Sequence, residues 1–148
     1  MRTLSITVDV HIPRPPHTVW PYLVDWERLD RWMREASDFR VVGAAREGVG
    51  VEAEATVRIA GITTRDRIRV TRWEPPAVLQ LAHLGWVTGT GTMELSPTDD
   101  GTDLLWREEL APPWGVLGWL GMRMVSPLLR RTFRRDLGLL RTLVERET

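Results

Sequence analysis

The 148 residues carry twenty acidic and twenty basic side chains, so the net charge is zero and the field of the whole molecule does not steer it toward nucleic acid or an anionic surface; a charge-driven partner must use a local patch. Every basic residue is arginine and cysteine is absent, which removes Schiff-base chemistry, thiol nucleophiles, thiolate metal sites and disulfides together. A chain of 148 residues suits a single domain spanning 1–148, one that buries roughly two-thirds of the surface its unfolded form exposes, with room for a cavity in the core.

From Leu4 the even positions read Leu4, Ile6, Val8, Val10, Ile12 and the odd ones Thr3, Ser5, Thr7, Asp9, His11, a period of two that predicts a half-buried strand. Because this start alternates instead of placing an apolar run after a charge, no secretory signal is expected and a cytoplasmic location is the default. Prolines at 13, 15 and 16 suit the first turn of a helix carrying Val19, Trp20 and Leu23 on one side, which Pro21 should keep short or bent. A second short helix is expected over Trp26 to Met33, then a strand over residues 37 to 43 of undetermined parity.

The next pair of strands is the most informative local pattern. Val51, Ala53, Ala55, Val57 and Ile59 alternate with Glu52, Glu54, Thr56 and Arg58; beyond Ala60-Gly61, Ile62, Thr64, Asp66, Ile68 and Val70 alternate with Thr63, Arg65, Arg67, Arg69 and Thr71. A two-residue turn at Ala60-Gly61 sets Glu54 against Arg67 and Glu52 against Arg69 on the solvent side, and Ile59 against Ile62 on the other. The same register puts Asp66 on the inner face, opposite Ala55. The strand in EPPAVLQLAHLGW is apolar on both faces, so the direction of His83 is open. Thr88 to Leu95 and Thr102 to Leu110 form a last hairpin around Thr98-Asp99-Asp100-Gly101, and Glu108 falls on the face it shares with Leu104 and Trp106. Like Asp66, it is an acid where the pattern calls for a hydrophobe.

Leu110 to Leu129 has the length of a membrane span, but Pro112, Pro113, Pro127, three glycines and Arg123 argue against one. Within it WGVLGWLGMRM is either core or the wall of a binding site. Ser126-Pro127 is a plausible cap and first turn for a long final helix, on which Leu129, Phe133, Leu137, Leu140 and Val144 recur at helical spacing. Arg130, Arg131, Arg134 and Arg135 fall mainly on the other side, as a solvated face or as a patch for an acidic protein partner or a phospholipid surface.

The order of strand, two short helices, six strands and long helix resembles the α+β helix-grip fold. The likeness is carried by Ile12-Pro13 and Pro16 before Val19-Trp20, Leu23, Asp25 and Trp32; by Glu74-Pro75-Pro76; by Gly101-Thr102 with Leu104 and Trp106; and by Leu140, Val144 and Glu145. The chain is similar throughout to the SRPBCC superfamily, which includes START lipid-transfer domains, birch pollen allergens, ubiquinone-binding proteins and polyketide cyclases/dehydrases. The resemblance implies a curved antiparallel sheet of about seven strands wrapped on the last helix, with a cavity between them, and WGVLGWLGMRM near one mouth. Fold alone does not choose the ligand.

Eight of the eleven aromatic residues are tryptophan, which buries a large surface and still offers an indole N–H. Trp20 and Trp32 occupy packing positions. The candidate ligand wall comprises Trp86, Trp106, Trp114, Trp119, Tyr22, Met93, Phe133 and Leu137. Asp66 and Glu108 are the sharpest polar candidates, because an inward carboxylate is costly unless it is paired, wetted or functional. They are expected either to pair with Arg123, Arg40 or His83, to be turned outward by a strand bulge, or to act as acid and base on a bound carbonyl compound or anchor its hydroxyls, with His83 as proton shuttle. His11, His17 and His83 lack metal-ligand spacing, so neither a metal nor another cofactor is expected. Gly85, Gly89 and Gly91 match no phosphate-binding fingerprint and mark bends or leave space. Two functions follow first: enclosure of a hydrophobic, ring-containing or isoprenoid small molecule, or polyketide aromatase/cyclase chemistry. A third is an interaction module acting through the arginine-rich helix. Nucleic acid is not an expected partner.

Overall fold

The computed structural model describes residues 2–148. Seven strands, β1 (Leu4–Ile12), β2 (Ala36–Val42), β3 (Glu52–Ile59), β4 (Ile62–Glu74), β5 (Val78–Leu84), β6 (Thr88–Thr98) and β7 (Gly101–Ala111), form one sheet. The order is β1-β7-β6-β5-β4-β3-β2 and every pairing is antiparallel. Between β1 and β2 lie α1 (Pro16–Leu23), with Pro21 inside it, and the second short helix, which is of 3₁₀ type over Trp26–Arg31 and ends two residues before the expected Met33.

The central hairpin has the expected register, with Ile59 against Ile62, Glu52 against Arg69 and Ala55 against Asp66. Ala60 and Gly61 both take positive φ, 54° and 79°, as a tight hairpin turn with the strands' own twist requires. Arg69 meets Glu52 straight across at 3.4 Å, as the register predicts, and diagonal pairs are added to it: Arg67 reaches Glu52 at 2.9 Å and Arg65 reaches Glu54 at 3.7 Å. At the far edge β2 is interrupted by a bulge between Ser37 and Arg40, where Asp38 has φ 53°.

The final helix corrects the sequence reading. α2 spans Gly115–Glu147, so Ser126-Pro127 lies inside it and WGVLGWLGMRM supplies its first turns instead of a connection leading into it. The breakers are tolerated for local reasons. Pro127 cannot donate to the Arg123 carbonyl, and Ser126 Oγ donates to that oxygen instead, at 2.8 Å. Gly118 packs so closely that a Cβ there would lie 1.7 Å from the Pro113 carbonyl oxygen. Leu129, Phe133, Leu137, Leu140 and Val144 are buried as predicted, against a core that includes Ile6, Val8, Trp32 and Leu104. No helix among the described residues is long and apolar enough to cross a membrane.

Candidate functional site

Between the sheet and α2 lies a cavity of about 490 Å³ with a mainly apolar wall. Its principal polar feature is built by three strands. Asp66 is on β4, two residues from the Ile68 that pairs with His83 on β5, and Glu108 is on β7, beyond β6. Glu108 and His83 meet across β6 because Gly91 stands between them without a side chain: a Cβ there would be 2.7 Å from Glu108 Oε1. Gly85 makes the same allowance for Asp66, with 2.8 Å from its would-be Cβ to Oδ1.

The result is a continuous chain. Trp106 Nε1 donates to Glu108 Oε1 at 2.9 Å, Glu108 Oε2 meets His83 Nε2 at 2.8 Å, and His83 Nδ1 meets Asp66 Oδ2 at 3.0 Å. Burial works against charge on the imidazole, but the carboxylates of Glu108 and Asp66 outweigh it and lift the His83 pKa to about 10. Near neutral pH the ring is therefore an imidazolium donating from both nitrogens, not a free base. The Asp66 side chain is 23% exposed against 8% for Glu108, so a ligand reaches Asp66 more readily.

A family model described as polyketide cyclase/dehydrase and lipid transport matches residues 3–145. The chain belongs to that family. Similar curated proteins include two from Mycobacterium tuberculosis: uncharacterized protein Rv1546 is 26% identical, over 88% of this chain and 94% of its own, and toxin Rv0910 is 27% identical, over 93% and 94%. Among solved structures, TTHA0849 from Thermus thermophilus superposes with a TM-score of 0.84 at 21% identity, covering 98% of this chain and 99% of its own. The Zhui aromatase/cyclase from a Streptomyces species gives 0.83 at 15%, covering 98% and 95%. These two likenesses establish the helix-grip fold. Family membership gives the chain a small-molecule role, as binder or as cyclase.

Of the residues singled out in the sequence, Asp66, His83, Glu108, Trp86, Trp106, Trp114, Met93 and Phe133 line the cavity together. Three do not. Tyr22 points to the C-terminus, its hydroxyl donating to Glu147 at 2.9 Å; Trp119 donates its indole N–H to the Thr3 carbonyl at 3.1 Å; Leu137 is sealed in the core. Trp20 and Trp32 are packing residues, as their positions predict. Trp86 stacks edge-on against Trp114 at 4.9 Å, setting one side of the mouth.

A second acid pair was not among the sequence candidates. Glu35 lines the cavity and Asp136 is fully buried beside it. Arg135 contacts both, at 3.8 Å from Glu35 Oε1 and 3.2 Å from Asp136 Oδ1, and the Arg34 backbone N–H donates to Asp136 Oδ1 at 3.3 Å. Glu35 Oε1 and Asp136 Oδ2 have no hydrogen-bond partner. Burial, and next the Asp136 carboxyl, push the Glu35 pKa up to about 9, so this pair keeps a proton at neutral pH. Asp136 follows Phe133 by three positions and precedes Leu140 by four, so an acid on the apolar stripe was the available signal.

Proposed function

We propose that this is a cytoplasmic protein that encloses a hydrophobic, ring-containing or isoprenoid molecule and holds one hydroxyl group of it at the Asp66–His83–Glu108 chain. The observation that carries the reading is a cavity of about 490 Å³ whose apolar wall is interrupted by that chain. Aromatic and Met side chains supply planar and adaptable contact, and the acids supply direction. With both His83 nitrogens engaged, the cluster offers acceptors to the cavity at its carboxyl oxygens, which favours a ligand that donates a hydrogen bond, such as a phenol, over a free carboxylate.

Tryptophan fluorescence, titrated with hydroxylated polycyclic phenols, isoprenoid quinones and fatty acids, tests this. Saturable quenching is expected in the order phenol, quinone, fatty acid, without new product by mass spectrometry. Tightest binding of the fatty acid, or no quenching by any class, counts against it.

A second reading, cyclase/dehydrase chemistry, is favoured by the linked acid, imidazolium and acid at the wall, which can return a proton to a bound carbonyl compound while a carboxylate takes one up. Turnover of a poly-β-keto chain that disappears in Asp66→Asn or Glu108→Gln would establish it; unchanged turnover in both variants would dismiss it. The family description names small-molecule chemistry, and an acidic protein partner for Arg130, Arg131, Arg134 and Arg135 finds no support in it.

A further inference from the structure

From Leu110 to Arg135 the chain contains no acidic residue and five arginines, Arg123, Arg130, Arg131, Arg134 and Arg135. The same stretch holds most of the large apolar side chains left outside the fold. Trp114 is 71% exposed, Leu117 78% and Met124 82%, with Val116, Leu120 and Leu128 also exposed.

These residues are ordered on the helix. Gly118, Met122, Val125 and Leu129 turn to the cavity, whereas Leu120, Met124 and Leu128 follow one another at four residues on the outer side, in a row that begins at Leu117 on the rim. Arg131 continues that outer stripe; Arg135, the next in the row, is held by Glu35 and Asp136. Arg2 and Arg123 lie over the Trp119 ring at 5.3 and 5.4 Å, placing two further cations beside it.

We propose that the N-terminal turns of α2 dock the protein on an anionic phospholipid bilayer, with Leu117, Leu120 and Met124 entering the acyl boundary and the arginines meeting the headgroups. Apolar side chains on one surface of a helix that carries arginine and no acid suit that interface. A second copy of this chain fits worse. Its copy of the segment offers the arginines no acidic partner, whereas anionic headgroups do. The docked surface also adjoins the mouth, since Trp114 and Leu117 are both exposed and part of the cavity wall. An apolar ligand could then pass between bilayer and cavity without crossing water, a consequence that, unlike the docking, rests on the ligand reading above.

The test is co-sedimentation with vesicles of phosphatidylcholine alone and of phosphatidylcholine mixed with phosphatidylglycerol. Binding to the mixed vesicles is expected, weakening with salt. Leu120→Asp with Met124→Asp should lower the bound-to-free ratio at least about tenfold, and Arg130→Gln or Arg131→Gln roughly fivefold each. None of these four residues lines the cavity, so thermal unfolding and ligand quenching serve as controls for fold and pocket. Equal binding to both vesicle types, no binding, or unchanged binding of the double Asp variant overturns the proposal. So does a dimer that Met124→Asp dissolves, since the stripe would then be covered by a second copy. Vesicle binding is measured without cavity ligand, so its failure leaves the ligand reading intact, and failure of quenching leaves the docking intact.

Discussion

Two pairs of carboxylates are buried beside one cavity, and the protein keeps them there by different means. Asp66 and Glu108 receive a cation between them, the His83 ring, with one nitrogen for each acid. Glu35 and Asp136 have Arg135 to one side, half exposed, and each retains an oxygen without a hydrogen-bond partner. In the first pair the imidazolium lies within hydrogen-bond distance of both acids. The second keeps a proton because no cation is equally close and equally buried. The two pairs differ chiefly in where the nearest cation lies.

The largest effect should come from removing the bridging cation. His83→Leu leaves two facing carboxylates and should cost about 3 kcal/mol at neutral pH, read from urea denaturation. A much smaller loss would mean that the two acids share a proton once the ring is gone, and the contrast between the pairs would collapse. Glu35→Gln should act in the opposite direction, stabilising by roughly 2 kcal/mol at neutral pH, because the amide need not be kept protonated against solvent.

The pH dependence sharpens the same contrast. Both His83, raised to about 10, and Glu35, raised to about 9, bind protons more tightly in the folded state than in the unfolded chain. The His83 contribution is complete below its ordinary value of 6.5 and is lost as pH rises toward about 10. The Glu35 contribution is complete below 4.5 and is lost as pH rises toward about 9. Melting temperature should therefore fall with rising pH over both windows. Glu35→Gln should flatten the lower window and His83→Gln the upper; a variant that flattens neither removes its group from this account.

Gly91→Ala should cost roughly 1–3 kcal/mol by pressing a methyl group on the Glu108 carboxylate, and should lower the His83 pKa followed by NMR. Glu54→Ala, which removes the 3.7 Å contact with Arg65 on the solvent side, should change stability by less than about 1 kcal/mol.

The central hairpin was legible because its two strands alternate charge and apolar residues in one matching register. Asp66 and Glu108 stood out for breaking that alternation. The direction of His83 was not legible, since β5 offers hydrophobes to both faces and only β4 and β7 supply the acids that draw the ring inward. Asp136 breaks the helical stripe as visibly as Glu108 breaks its strand. Glu35, in contrast, sits between the 3₁₀ helix and β2, where no periodicity assigns a face. The start of α2 was hidden by residues whose local preferences oppose a helix. The carbonyl of Pro113 against Gly118, and the hydroxyl of Ser126 beside Pro127, are tertiary and side-chain accommodations that propensity does not contain.

The bulge in β2 bears on how the molecule avoids its own kind. An open sheet ends in two strands, and a long flat end strand is a template on which another chain can extend the ladder. At the β2 end the ladder loses step between Ser37 and Arg40, and Asp38 turns the backbone into positive φ. An incoming strand would meet only short runs of aligned donors and acceptors, separated by a kink that carries a negative charge. That irregularity makes the β2 border of the sheet a poor seed for aggregation.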